Sequence, residues 1–198
     1  NAAKVGDLLR QHGYALDQVI TISDEGHAIR QAVEQAWAQH EVVLLSGGLG
    51  PTRDDITKHT LAEWFGCPLE MHAPTLAYLE RRYVERGRVL NPRTRDQALA
   101  PVGAEVVANP KGTAPGLLFA REGKWLLAMP GVPFELMYLV ESTVLPRLHA
   151  QSKGEVLRQR VFRLSNVSES EVALQMDPIE DELPPFVSIA YLPRADGL

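Results

Sequence analysis

Val42-Val43-Leu44-Leu45-Ser46-Gly47-Gly48-Leu49-Gly50-Pro51-Thr52-Arg53-Asp54-Asp55-Ile56-Thr57 joins three kinds of local sequence without a gap. Val42–Leu45 is an unbroken apolar run, the pattern of a strand buried on both faces of a parallel sheet. Ser46–Thr52 then packs glycines and a proline together, and neither strand nor helix continues through such a segment. From Asp54 onward the pattern predicts a helix, so the two acids fall at its start. Strand, glycine-rich loop and helix N-terminus in this order mark the ligand-binding edge of an open α/β sheet.

The loop's chemistry pulls in two directions. Glycines let backbone N–H groups approach an anion, and a helix N-terminus adds partial positive charge. Asp54 and Asp55 place negative charge at the same spot. Two unit charges roughly 4 Å apart at an effective dielectric of about 20 repel by about 4 kcal/mol, against about 0.3–1 kcal/mol from a helix dipole. A phosphate beside these aspartates therefore calls for a divalent cation, magnesium or similar, with Asp54, Asp55 and possible help from Asp24 as its ligands. The plainer alternative is that both acids complement the dipole and the glycines only turn the chain. Neither a P-loop lysine nor a dinucleotide-type glycine fingerprint is present.

Working outward, Ala2–His12 carries a helical apolar stripe, and a strand is expected ahead of Asn1 because α/β domains ordinarily begin on one. Leu16–Ile22 reads as a strand, and Ser23-Asp24-Glu25 as the cap and first turn of a helix reaching His40. Thr75–Gly87 reads as helix, and Arg88–Arg95 as a basic connection able to close over the site as a lid. Glu105–Ala108 is a short strand, and Leu117–Ala120 with Trp125–Ala128 a hairpin. Asn109–Gly116 and Pro130–Pro133 are two further small-residue loops, the latter leading into a helix over Phe134–His149. Three such loops converging on one rim exceed what turns require. A polar break at Gln151–Glu155 separates residues 1–150 from 151–198, where strand, helix and strand over Val156–Leu164, Ser168–Asp181 and Phe186–Leu192 suggest the start of a small α+β domain.

Net charge is −5 over 198 residues, which argues against an unspecific nucleic-acid surface. No membrane-length apolar run and no signal peptide are visible, and a single cysteine, Cys67, suits a reducing, cytoplasmic setting.

Together, Ser46-Gly47-Gly48-Leu49-Gly50-Pro51-Thr52-x-Asp54-Asp55-Ile56-Thr57, Asn109-x-x-Gly112-Thr113-Ala114-Pro115-Gly116 and Pro130-Gly131-x-Pro133-x-Glu135 resemble the N-terminal domain of the competence/damage-inducible CinA family. That domain is similar to the wider molybdopterin-binding family. The resemblance implies a three-layer α/β/α sandwich with a mostly parallel sheet. It also implies a metal-dependent pyrophosphohydrolase that splits ADP-ribose, or a similar nucleotide substrate, into AMP and ribose 5-phosphate, in a chain expected to form a homodimer. Catalysis would fall to Asp54, Asp55 and Glu135. The first loop would bind substrate through Ser46, Gly47, Gly48, Gly50, Pro51, Thr52 and Thr57. Asn109, Gly112, Thr113, Ala114 and Gly116 would do so from the second loop, and Pro130 and Gly131 from the third. Arg95 and Gln97 join them, although Thr94 and Asp96 stand where similar proteins carry an asparagine and a basic residue. The alternatives are a molybdopterin-binding module of molybdenum cofactor metabolism, or a non-catalytic nucleotide-binding dimer.

Overall fold

Two apolar runs far apart in sequence, β1 (Val42–Ser46) and the Lys124–Met129 strand, lie side by side in parallel in the computed structural model, which describes residues 1–152 and 160–193. Helices α1 (Ala2–Gln11) and α2 (Gly26–Gln39) precede β1, and α3 (Thr57–Phe65) follows its loop. Next come β2 (Leu69–Met71), α4 (Ala73–Val84), the short α5 (Pro92–Arg95), β3 (Leu99–Pro101) and β4 (Glu105–Val107). The hairpin is β5 (Gly116–Arg121) with β6 (Lys124–Met129), after which α6 (Pro133–Leu139) and α7 (Leu145–Gln151) close this part of the chain. Chain contacts divide the protein into Asn1–Leu157 and Arg158–Leu198.

The main sheet has the order β1-β6-β5-β4, with β1–β6 parallel and the other two pairs antiparallel. Glu122 and Gly123 turn the β5–β6 hairpin at φ +55° and +80°, the mirror-image turn whose twist suits a two-residue connection. Side chains alternate across β5 and β6. Leu118, Trp125, Leu127 and Met129 face one core with Val5 and Leu9 of α1 and Leu136 and Leu139 of α6. Leu117, Phe119, Leu126 and Ala128 face the other with Ile29 and Val33 of α2 and Leu61 of α3. Helices on both faces of a mixed sheet give the expected three-layer α/β class.

Several elements depart from the sequence reading. β1 is half-buried rather than enclosed, because β6 is its one ladder neighbour among the described residues. Leu16–Ile22 forms no strand and leaves Val19 58% exposed, since an extended segment becomes a strand only beside a partner. The unexpected β2 and β3 pair with each other as a separate antiparallel ribbon. The long last helix of this unit is broken by a π turn at Val140–Val144. Pro146 has no N–H to donate, so the ladder cannot run through it in α register.

In the second unit the described residues contain one helix, α8 (Glu169–Glu180), closed by a reciprocal capping box between Ser168 and Glu171. The described parts of the two strands expected there, residues 160–164 and 186–192, make no ladder, and Phe162 and Phe186 are exposed. Residues 156–159 of the first of them lie outside the described residues.

Candidate functional site

Topology alone gathers the three small-residue loops. Parallel β1 and β6 end at the same edge of the sheet, so the loops after Ser46 and Met129 must be neighbours there. Antiparallel β5 starts at that edge, which brings in Asn109–Pro115 as well. The contacts agree. Gly47 N–H donates to the Met129 carbonyl at 2.9 Å. The Asn1 amide donates to the Gly131 carbonyl at 2.7 Å and to Ser46 Oγ at 3.2 Å, tying the first and third loops together. A Cβ on Gly131 would lie 3.4 Å from Gly47 Cα.

Within the first loop the acids are not where a helix start would put them. Helix α3 begins at Thr57, and the chain is still turning through Asp54 and Asp55. Asp55 Oδ2 accepts the Thr52 N–H at 2.9 Å and also the Thr52 hydroxyl. Burial pushes the Asp55 carboxyl up, but hydrogen bonds from the Thr52 hydroxyl and from the Thr52 and Gly50 N–H groups outweigh it and hold it below the usual carboxylate value. The N–H and hydroxyl of Thr52 therefore already hold a carboxylate. Asp54 is exposed, and Asp24 is exposed ahead of α2 without capping it. Among the described residues no group of three or more His, Cys, Asp or Glu is placed to hold a metal ion. The expected trio Asp24, Asp54 and Asp55 is thus not assembled, and Asp55 is committed to Thr52; these residues do not fit a divalent site.

The glycines serve the protein's own packing. Gly48 sits at φ +68°, and a Cβ there would fall 2.0 Å from Oγ1 of the buried Thr57, whose N–H donates to the Gly48 carbonyl. Gly116 pairs with Val107 inside the sheet, and its missing Cβ faces Val107 and Leu127 rather than the rim. Gly112 gives way to Glu135, whose Oε2 would be 1.9 Å from an added Cβ. Glu135 is buried, as is Asn109, and Asn109 Nδ2 donates both to Glu135 Oε2 at 2.6 Å and to the Ala114 carbonyl at 2.8 Å. Glu135 therefore braces the second loop against the start of α6. Ser46, Pro51 and Thr52 are exposed on the rim, Gly50 and Thr113 are half-buried, and Pro130 is buried.

Residues 88–95 do not form a free lid. Asn91 caps α5 by accepting the Thr94 N–H at 2.9 Å, and buried Thr94 meets the Tyr83 hydroxyl. Arg95 points to Glu80 at 3.6 Å, an exposed pair of small energetic weight. Residues the sequence did not single out hold the site together. Tyr78 donates to the Gly112 carbonyl at 3.1 Å, and Arg82 to the Pro110 carbonyl at 3.1 Å, clamping the second loop to α4. Lys58, only 7% exposed, donates to the carbonyls of Asp96 and Leu99 at 2.9 and 3.0 Å, and its ammonium is pushed down to about 8 by burial. The helical stripe of α3 gave no sign that Lys58 turns inward.

Residues 1–150 match the family described as "Probable molybdopterin binding domain". The crystal structure of "the protein CinA with unknown function" from Thermoplasma acidophilum aligns with a TM-score of 0.66 at 35% identity, covering 73% of this chain and 84% of that one. The chain belongs to the CinA family. A CinA-like protein of Cytophaga hutchinsonii is 38% identical over 175 residues, 88% of this chain and 42% of that protein. One of Flavobacterium psychrophilum is 34% identical over 194 residues, 98% of this chain and 46% of that protein. The chain thus spans less than half the length of these CinA-like relatives.

For this CinA-family domain the expectation of a metal-dependent hydrolase acting on ADP-ribose is corrected. The matching family is a molybdopterin-binding one and the relatives are CinA-like proteins. The geometry of two of the expected catalytic residues agrees with that correction, since Asp55 is engaged by Thr52 within the first loop and Glu135, in α6, by Asn109 of the second. Among the described residues no helix is long and apolar enough to cross a membrane.

Proposed function

We propose that this domain is a molybdopterin-binding module whose three-loop rim receives the phosphate of a pterin phosphate. The observation that carries the reading is the Gly50–Asp55 turn, where the N–H and the hydroxyl of Thr52 both donate to one oxygen of the Asp55 carboxylate. A turn whose N–H and hydroxyl hold a carboxylate is chemically suited to a phosphate oxygen, which takes the same donors with greater charge. Asp55 then acts as the internal occupant, and the ligand's phosphate replaces it as Asp55 turns toward solvent. Membership of a family described by molybdopterin binding supports the same ligand class.

Fluorescence titration with an oxidised 6-substituted pterin phosphate and with its dephosphorylated form tests this. The phosphate form is expected to bind at least about tenfold tighter, the scale of one or two charge-assisted hydrogen bonds. Absence of binding by the phosphate form, or equal binding of both, overturns the reading.

A further inference from the structure

At the end of α1 away from the rim, two histidines from distant parts of the sequence meet. α1 starts beside Asn1, whose amide touches the first and third loops, and its ten residues carry the chain about 15 Å to His12. There the His12 ring faces His149 of α7, with ring centroids 5.8 Å apart and planes tilted by 57°. The Tyr14 ring lies 5.6 Å from that of His149. Both histidines are exposed, whereas Tyr14 is half-buried against the core and backs the His149 ring.

Packing fixes this meeting. Val5 and Leu9 of α1 share one core with Leu145 of α7, and Leu8 and Leu148 pack against it. Both helices finish at this spot, α1 with His12 as its cap and α7 at Gln151, two residues beyond His149. Each helix end carries partial negative charge on its last carbonyls, which favours a cation. The arginines on these two helix ends are already matched, Arg10 by Asp7 at 2.7 Å and Arg147 by Glu105. Imidazole selects the kind of cation, since it suits zinc, copper and nickel, whereas magnesium and calcium take oxygen ligands. A tetrahedral ion about 2.0–2.1 Å from each ring nitrogen holds two imidazole centres about 5 Å apart. Small side-chain rotations of two surface rings bring 5.8 Å to that spacing.

We infer that His12 and His149 form a two-imidazole site for a divalent transition ion of the zinc type, which staples α1 to α7. Water completes the coordination shell, because two protein ligands are fewer than the four of a closed structural zinc site. The ion is therefore exchangeable. The site stands apart from the three-loop rim and from Asp24, Asp54 and Asp55, and it does not rest on the pterin-phosphate reading. Its bearing on the rim runs through α1, whose start holds the first and third loops together through Asn1.

Calorimetric titration of the tag-free protein with zinc chloride near neutral pH tests this on the parent, His12→Ala, His149→Ala and the double variant. The parent is expected to bind zinc at least about tenfold more tightly than the double variant. His27 beside Glu25 and His40 beside Asp17 remain in that variant, so it measures the background. Each single variant is expected to lose as much as the double, because one imidazole alone no longer chelates. Parent affinity within about twofold of the double variant overturns the site, and so does a single variant that keeps the parent's affinity. Histidine-ring NMR of the parent decides should a variant fail to fold. Zinc is then expected to move the His12 and His149 signals first, with magnesium moving neither, and any other order overturns the inference.

Discussion

Asn109 and Glu135 are joined side chain to side chain at 2.6 Å, inside the protein, between the second loop and the first turn of α6. The contact ties the second loop to the helix that follows the third, with Gly112 shaped around the carboxylate.

Removing the donor should cost more than removing the acceptor. Asn109→Ala strands the buried Glu135 carboxylate and also frees the Ala114 carbonyl, whereas Glu135→Ala leaves the Asn109–Ala114 bond in place. Asn109→Ala is expected to destabilise by at least about 2 kcal/mol and Glu135→Ala by about 1 kcal/mol. Urea denaturation of both variants and their double mutant checks this, and additive losses would disprove the coupling.

Glycine substitutions on the rim should split sharply. Gly112→Ala drives a Cβ into Glu135, and Gly48→Ala combines a left-handed backbone with overlap on Thr57, so each is expected to lower the melting temperature by at least about 5 °C. Gly131→Ala meets only an ordinary van der Waals contact and should shift it by less than about 2 °C. Differential scanning calorimetry gives the ranking.

Asp55 sets an acid limit. Its folded pKa lies below the ordinary value of 3.8, so its contribution to stability is complete above 3.8 and is lost as pH falls through the lower, folded value. The stability gap between the parent protein and Asp55→Ala should therefore be full at pH 6 and shrink in strong acid. Denaturant midpoints at both conditions report it, and a constant gap would contradict the hydrogen-bonded turn.

Lys58 gives the opposite window. Its folded value of about 8 lies below the unfolded 10.5, so the buried charge weighs on the fold fully below pH 8. Between pH 8 and 10.5 the unfolded chain binds the proton more strongly, and the stability of the parent protein relative to Lys58→Met should rise. NMR detection of the Lys58 ammonium should find its midpoint near 8 rather than above 10.

The sequence made much of this readable where the signal is local. The apolar stripes of Val5 and Leu9 and of Ile29 and Val33, the hairpin and the three small-residue loops are all patterns within a few residues. What escaped was decided at a distance. Leu16–Ile22 looks like a strand but has no partner among the described residues, and Leu69–Met71 is too short to stand out until Leu99–Pro101 lies against it. The loops were identifiable, whereas the reason for their glycines was not, because Thr57, Glu135 and Val107 fill the space those glycines leave. Asp55 reads equally well as a helix-start acid, and only the turn back to Thr52 separates the two roles.

The parallel register of β1 and β6 has a consequence for how the protein reaches its native state. Val42 pairs with Trp125 and Ser46 with Met129, so this ladder waits until most of the first unit has been synthesised and a long intervening chain has been closed into a loop. The hairpin β5–β6 can form early from neighbouring residues, but the first and third loops meet only when β1 docks on it. Ligand competence should therefore appear in the last kinetic phase of refolding, after helix content has recovered, and a nascent chain released before Met129 would carry every residue of the first glycine-rich loop without a binding rim.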